Sequence, residues 1–315
     1  MICGSVAYDT ILVFPDRFKA HILPDKLHIL NVAFLVPEMR REFGGCAANI
    51  AYSLKLLGDE GLAMATAGHD FEPYRARMLS KGIRDDYIKV IDGAFTAQAY
   101  ITTDLDDNQI TAFHPGAMQF AHANQVSDAA GKSVAGRGGE PDIALGIVAP
   151  DGRQAMIEHA AQFKAVNIPF IFDPGQGLPM FGAEELGVFI DQATWVAVND
   201  YEWQVLQQKT GMAAADIVAK VDALIVTRGS EGSVIYTQER TLAIPPVKPR
   251  AVVDPTGCGD AYRAGLIHGL LRGLDWETTG RMGSLMGSMK VESRGPQNHE
   301  FTRAEFHRRY RDTFG

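Results

Sequence analysis

Apolar residues in the second half of the chain form short runs separated by amphipathic stretches. The runs at 142–148, 169–173, 194–198 and 223–227 have the length and the β-branched content of buried strands. The stretches between them carry apolar residues at helical spacing. Strands that alternate with helices in this way form a parallel sheet with helices on its faces. The pattern therefore predicts an α/β fold built on a doubly wound, mostly parallel sheet.

A second group of strands lies in the first half of the chain and does not alternate with helices. The patterns at 27–36, 97–103 and 109–113 predict strands, and the last two are joined as a hairpin. These strands fall on either side of a helix predicted to begin near residue 46. We expect them to form a small β-lid from about residues 10–43 and 96–118, inserted in a single domain of residues 1–315.

The segment 254–260 (Asp-Pro-Thr-Gly-Cys-Gly-Asp) is followed by apolar residues at helical spacing, which predicts a loop running directly into a helix. The unpaired N–H groups of Gly257, Cys258 and Gly259 would point out of the helix N-terminus, where the helix dipole favours an anion. Asp260 would lie beside a bound phosphate and accept a proton from a hydroxyl. Taken alone, the segment is equally compatible with an ordinary glycine-rich turn and a first-turn acid.

A second glycine motif, 44–49 (Gly-Gly-Cys-Ala-Ala-Asn), begins a predicted helix that ends at Gly58. Paired glycines let a ligand approach the backbone closely, and Asn49 can both donate and accept hydrogen bonds. Ser5 and Asp9 follow the first predicted strand, at the sheet edge where ligands of open parallel sheets bind. A backbone anion hole, a base and groups that hold an acceptor are what phosphoryl transfer requires.

The two glycine motifs resemble the signatures of the ribokinase-like (PfkB-type) carbohydrate and nucleoside kinases. The resemblance implies that the first motif contacts the phosphate acceptor and that the second carries the anion hole and the catalytic base. It also implies that Asn199 and Glu202 match an Asn-x-x-Glu element associated with magnesium bound through water. A helix capping box explains the same two residues equally well, and both explanations can hold together. No Walker loop or dinucleotide fingerprint is present.

The resemblance narrows to bacterial adenosine kinases through segments 4–9, 14–18, 113–118 and 199–203, and it spans nearly the whole chain. It implies a ribokinase-like fold with a β-lid. The implied substrate-binding residues are Ser5, Asp9, Phe34, Gly44, Gly45, Asn49, Phe113 and Gln176. The implied catalytic residues are Asp260 as the base and Gly257, Cys258 and Gly259 as the anion hole. The implied nucleotide-binding residues are Asn199, Glu202, Thr227, Gly229, Gly232 and Thr256, with Glu202 on magnesium.

The chain departs from that family at three positions. Ala99 stands where the lid would supply an aromatic residue, and Gly177 removes a polar contact to the base, so base selectivity is open. Cys258 replaces a small aliphatic residue of the anion hole. A helix N-terminus lowers the pKa of a thiol while Asp260 opposes this, which leaves two interpretations, a modifiable thiol and an inert packed side chain.

The composition of the chain indicates its partners and cellular compartment, and it leaves the predicted phosphoryl transfer unchanged. A formal net charge of −8 with no basic stripe argues against nucleic acid as a partner. Three cysteines without metal-ligand spacing fit a reducing cytoplasm. No apolar run approaches the ~20 residues of a membrane span, so no membrane association is expected.

The sequence thus predicts a cytoplasmic kinase that uses ATP and Mg²⁺ to phosphorylate the 5′-hydroxyl of adenosine. The resemblance does not decide whether the protein requires a monovalent cation such as K⁺. It also does not decide whether two copies form a homodimer through the lid. The alternatives within the same chemistry are another nucleoside or a simple sugar as acceptor. From a different class, the alternative is a non-catalytic nucleoside or sugar sensor on the same fold.

Overall fold

A computed structural model describes residues 1–22, 32–106, 108–130 and 143–315. Part of the predicted strand 27–36 (residues 27–31), Asp107 of the predicted hairpin turn and Asp142 lie outside the described residues. The remainder of that first strand, residues 32–36, is not a strand, so the prediction of a strand there is wrong.

The strands in chain order are β1 (Ile2–Cys3), β2 (Ala7–Val13), β3 (Glu38–Gly44), β4 (Ala63–Ala67), β5 (Tyr87–Val90), β6 (Ala97–Thr103), β7 (Gln109–His114), β8 (Gly146–Val148), β9 (Phe170–Phe172), β10 (Trp195–Asn199), β11 (Ala223–Thr227), β12 (Ser233–Tyr236) and β13 (Thr241–Ile244). Nine of them form one sheet in the order β13-β12-β11-β10-β9-β8-β1-β4-β5. In this sheet β12 pairs antiparallel with both β11 and β13, and the other pairs among the described strands are parallel. The predicted mostly parallel sheet is confirmed.

The helices are α1 (Phe18–His21), α2 (Cys46–Leu57), α3 (Glu72–Ser80), α4 (Ser127–Ala130), α5 (Arg153–Ala165), α6 (Ala183–Gln192), α7 (Asp200–Thr210), α8 (Ala214–Val218), α9 (Cys258–Leu270), α10 (Trp276–Val291) and α11 (Arg303–Phe314). Short 3₁₀ segments occupy Gly116–Ala123, Gly175–Met180 and Gly229–Glu231. No described helix has the length and apolar character needed to cross a membrane.

Helices cover both faces of the main sheet. This is seen from successive strand residues, which belong to two different buried clusters. In β11, Ala223 and Ile225 pack in the cluster that contains α2 and α9, whereas Leu224 and Val226 pack in the cluster that contains α5 and α6. This alternation is the two-residue period of a strand that is buried on both faces. The helices that follow the two glycine motifs, α2 and α9, therefore lie side by side on one face.

The other four strands form a small sheet in the order β3-β2-β6-β7. The hairpin of β6 and β7 is confirmed, with Ala99 opposite Phe113. The first strand of the chain is shorter than predicted. β1 ends at Cys3, and the chain then enters β2, so Asp9 lies inside a strand of the small sheet and not at the edge of the main one.

The two motif helices start where only glycine is tolerated. Gly45 precedes α2 with φ 90°, and a Cβ there would lie 2.6 Å from the backbone oxygen of Ser5. Gly257 precedes α9 with φ 79°, and a Cβ there would lie 2.8 Å from the Cβ of Pro296. Both contacts are closer than non-bonded heavy atoms of these kinds permit. The glycines thus let other chain segments approach the helix N-termini.

Candidate active site

The N-terminal turns of α2 and α9 meet through one hydrogen bond. Asn49 donates from Nδ2 to Oδ2 of Asp260 at 2.8 Å, across 211 positions of sequence. The structure therefore brings together the two motifs that the sequence singled out separately. It also gives Asn49 a contact that the sequence did not predict, because the expected role of this residue was to hold the ribose.

A buried chain of hydrogen bonds orients the Asn49 amide. Its oxygen accepts from Nε2 of Gln297 at 2.9 Å, and the same Nε2 lies 2.7 Å from the hydroxyl of Tyr74. That hydroxyl donates to the carbonyl oxygen of Gly44 at 2.7 Å. With its oxygen engaged in this way, Asn49 presents its NH₂ group to Asp260.

At the start of α9, the backbone amides that have no hydrogen-bond acceptor differ slightly from the predicted set of Gly257, Cys258 and Gly259. Cys258 N–H donates to the carbonyl of Pro255 at 3.1 Å. Among the described residues, the amides of Gly257, Gly259 and Asp260 have no hydrogen-bond acceptor. A Cβ added at Gly259 would meet no atom within 4 Å. Three amides without acceptors at a helix N-terminus can bind a phosphate.

The carboxyl group of Asp260 has a pKa raised to the neutral range. Burial is the main cause that raises its pKa to about 7. The charges of Asp173 and Asp9 add to this increase, whereas the hydrogen bond from Asn49 and the charge of Arg263 oppose it. A carboxylate whose pKa lies near the working pH accepts a proton efficiently and can release it again.

We expect kcat/KM to fall on the acid side with a midpoint near pH 7, because protonated Asp260 cannot accept a proton. Below the midpoint the decrease should approach about tenfold per pH unit. The measurement is a pH profile of initial rates with saturating ATP, at pH values where the thermal melting temperature is unchanged.

Two variants test whether Asp260 is the group that titrates. Asp173→Asn removes a charge that raises the pKa of Asp260, so the midpoint should move to lower pH. Asp9, whose pKa is raised to about 6 mainly by burial, is the other candidate. A midpoint that disappears in Asp9→Asn and is unmoved in Asp173→Asn would assign the profile to Asp9.

A buried ion pair lies behind Asp260. Arg263, one helical turn further along α9, donates from Nη2 to Oδ1 of Asp173 at 2.9 Å and from Nε to Oδ2 at 3.1 Å. Both side chains are less than a tenth exposed. The charges of this pair influence the pKa of Asp260 and that of Glu202. The sequence did not predict this ion pair. The one available signal was Arg263, a basic residue three positions after the predicted base Asp260.

A row of four residues crosses the small sheet. Asp9 pairs with Glu42 of β3 and with Ala99 of β6, and Ala99 pairs with Phe113 of β7. Directly paired residues share a face of the sheet. Asp9 lies close enough to Asp260 for the two charges to interact, so this face is directed at the start of α9. Phe113 is 51% exposed on it.

Three other predicted substrate residues have different surroundings. Phe34 packs between Phe14 and Phe18 at ring distances of 4.7 and 5.0 Å, and the structure does not bring it against Phe113. Ser5 accepts from the Cys46 amide at 3.2 Å and so helps to begin α2. Gln176 is exposed in the 3₁₀ segment that follows β9.

The predicted nucleotide residues lie at the carboxyl ends of adjacent parallel strands. Asn199 is paired with Thr227 at the ends of β10 and β11. Asn199 and Glu202 form the capping box, with the Asn199 side chain accepting from Glu202 N–H at 2.7 Å and Glu202 accepting from Asn199 N–H at 2.8 Å. Gly229 and Gly232 lie in the connection from β11 to β12. Thr256 is exposed two residues before the start of α9.

The surroundings of Cys258 bear on the two interpretations of its thiol. Burial raises the pKa of this thiol to about 11; Lys290 lowers it, whereas Asp254 and Asp260 raise it. The thiolate fraction at neutral pH is therefore small, and the interpretation of Cys258 as a packed, inert side chain is the one favoured.

Comparison with known proteins identifies the family. The model of the pfkB family carbohydrate kinases matches residues 10–303. The chain belongs to this family. The nucleoside kinase of Methanocaldococcus jannaschii is 32% identical over 271 residues, which cover 85% of this chain and 85% of that protein.

Solved structures agree with the pfkB assignment. The Burkholderia thailandensis nucleoside kinase in complex with inosine is 49% identical and has a TM-score of 0.88, over 100% of this chain and 97% of that one. The same kinase in complex with ADP-inosine has a TM-score of 0.85 at 50% identity, over 100% of this chain and 95% of that one. A ribokinase from Thermotoga maritima, 21% identical with a TM-score of 0.79 over 98% of both chains, shares the fold. The ribokinase-like architecture is thus shown.

Proposed function

We propose that this pfkB-family chain transfers the γ-phosphate of ATP to the 5′-hydroxyl of a purine nucleoside, with adenosine as the preferred acceptor. The observation that carries the proposal is the meeting of a carboxylate of raised pKa, Asp260, with three free amides at one helix N-terminus. A sensor without catalysis has no need of a base tuned to pH 7 beside an anion hole. The nucleoside kinase activity named for relatives of 32% and 49% identity supports the same conclusion.

The acceptor is held by the face of the small sheet that carries Asp9. The Asp9 carboxylate accepts hydrogen bonds from the ribose hydroxyls, and the ring of Phe113 offers apolar surface to the base. The ribose 5′-hydroxyl then lies between Asp260 and the γ-phosphate. Asp260 accepts the hydroxyl proton as the bond from the 5′-oxygen to the γ-phosphorus forms and the bond from that phosphorus to the β,γ-bridging oxygen breaks, which releases ADP. The amides of Gly257 and Gly259 stabilise the charge on the transferring group.

The nucleotide lies along the carboxyl ends of β10 and β11, near Thr227 and Glu202. Burial is the main cause that raises the pKa of Glu202, and both of its oxygens accept hydrogen bonds from Asn199. Among the described residues, no group of three or more His, Cys, Asp or Glu side chains is arranged to ligate a metal directly. These surroundings fit Mg²⁺ held through water by Glu202 and by the phosphates, where it neutralises phosphate charge.

The small sheet acts in this proposal as a lid over the acceptor in a protein of the cytoplasm. Closing it excludes water from the γ-phosphate and so protects ATP from hydrolysis. Its opposite face exposes the apolar side chains of Met39 and Ile110, which supports pairing of two copies through this sheet.

We expect adenosine to have a higher kcat/KM than ribose, fructose or any pyrimidine nucleoside. A base adds apolar contact with Phe113 that a free sugar lacks. The measurement is ATP consumption with a panel of nucleosides and sugars at equal concentration. A matched control is Phe113→Ala, which should lower kcat/KM for adenosine and leave the rate with ribose unchanged.

A second acceptor, inosine, is favoured by the complex of the Burkholderia relative and by two residues of this chain. Ala99 is the small residue between Asp9 and Phe113 in the row across the small sheet that faces the acceptor. Gly177, next to Gln176, has no side chain that could contact the base. A site with few polar contacts to the base distinguishes purines weakly. Turnover of inosine equal to that of adenosine would broaden the proposal to purine nucleosides, whereas faster turnover of ribose would contradict it.

A further inference from the structure

Lys290, near the end of α10, is a charged residue that the mechanism above does not use. Its side chain is 0% exposed. The ammonium donates to the carbonyl oxygen of Asp254 at 2.7 Å and to that of Ser293 at 3.3 Å. No described carboxylate forms an ion pair with it within 4.0 Å. A buried charge is costly unless oxygen atoms replace its water, and here backbone carbonyls do so.

The two carbonyls belong to the segments that build the catalytic centre. Asp254 begins the loop that leads to the free amides, and its carboxylate accepts from Thr256 N–H at 2.9 Å and from Gly295 N–H at 2.8 Å. Ser293 begins the loop whose Gln297 orients Asn49, the partner of Asp260. Lys290 therefore ties the anion-hole loop to the loop that orients the base.

Acidic groups near Lys290 come from α9, from the loop before α9 and from the small sheet. Burial lowers the pKa of Lys290. The carboxylates of Asp260 of α9, Asp254 of the loop and Glu42 of the small sheet favour its charged form. This is the environment of a cation site, with carbonyl oxygens as ligands and several acidic groups at longer range.

We propose that the Lys290 ammonium is the built-in monovalent cation of this site, and that it positions the anion-hole loop without K⁺ or Na⁺. A free cation at the same place would need the carbonyls of Asp254 and Ser293, and these already accept from the ammonium. The resemblance left a K⁺ requirement open, and the residues present do not fit one at this loop. The proposal rests on the assigned anion hole and not on which nucleoside is the acceptor.

The first test compares wild type with Lys290→Met in tetramethylammonium salts, to which KCl, NaCl or NH₄Cl is added at constant ionic strength. Wild-type kcat should not change with the cation. Lys290→Met should lose on the order of 10- to 100-fold in kcat, since a buried hydrogen-bonding charge is removed, and NH₄⁺ or K⁺ should restore much of it. The matched control is Lys164→Met, an exposed lysine of α5, which should behave as wild type in every salt.

A second test does not depend on activity. Crystals of both proteins soaked in rubidium salt should show an anomalous peak beside the carbonyl of Asp254 in Lys290→Met and none there in wild type. The melting temperature of the variant, but not that of wild type, should rise with K⁺ or NH₄⁺.

Several results would overturn the proposal. These are activation of wild type by K⁺, a rubidium peak at Asp254 in wild type, full activity of Lys290→Met without a cation, and a folded variant that no cation rescues. If Lys290→Met does not fold, the wild-type salt and rubidium measurements decide alone. If wild type phosphorylates no nucleoside, the proposed function fails while the rubidium and melting measurements still test Lys290.

Discussion

Asp260→Asn is expected to fold, to bind nucleoside and ATP, and to lose about 10²–10⁴-fold in kcat. The amide is nearly isosteric with the carboxylate, and its oxygen can still accept the hydrogen bond from Asn49 that spans α2 and α9. What it cannot do is accept the proton of the 5′-hydroxyl. The free amides at the start of α9 are retained, so the variant should keep its affinity for the nucleotide.

The measurement is kcat from ADP release, with calorimetric titration of adenosine and of ATP to separate binding from chemistry. A matched control is Asp216→Asn. Asp216 also lies in the first turn of a helix, α8, where its carboxylate accepts from the Ala213 N–H and from no other donor among the described residues. That variant should have wild-type kcat. A near-wild-type kcat for Asp260→Asn itself would assign proton transfer to another residue or to the substrate phosphate.

Asp173→Ala is expected to destabilise the protein by about 3–5 kcal/mol, the largest stability effect predicted here. The substitution leaves the Arg263 guanidinium buried without its bidentate partner. Removing one member of a buried ion pair costs far more than the pair contributes, because the desolvated charge that remains has no compensation. The measurement is the free energy of unfolding from urea titration.

Two further variants serve as controls for the stability of Asp173→Ala. The double variant Asp173→Leu/Arg263→Met removes both charges and should recover much of the lost stability. Asp191→Ala breaks the exposed pair of Asp191 and Lys220, whose side chains are 56% and 40% exposed, and should cost about 1 kcal/mol or less. Equal costs for Asp173→Ala and Asp191→Ala would show that the buried pair has no special role.

The main sheet could be predicted because strand and helix periods are local properties. Residues 223–227 were predicted as a strand and form β11 within those bounds, and the helix after Gly257 was predicted from its apolar spacing. Glycine signatures could be recognised for the same reason, since each depends on backbone conformation within a few residues. The small sheet was less predictable. Asp9 was expected at the edge of the main sheet and lies in β2, because the main-sheet strand β1 has only two residues.

By itself, the sequence determined the fold class, the two glycine motifs and the acid that follows the second of them. Only the tertiary structure decided how these groups act on one another. Asn49 reaches Asp260 across 211 positions, Arg263 pairs with Asp173 across 90, and Lys290 donates to Asp254 across 36. The physical reason is that hydrogen bonding and desolvation depend on which side chains share a buried volume. A local pattern of apolar and polar residues does not contain that information.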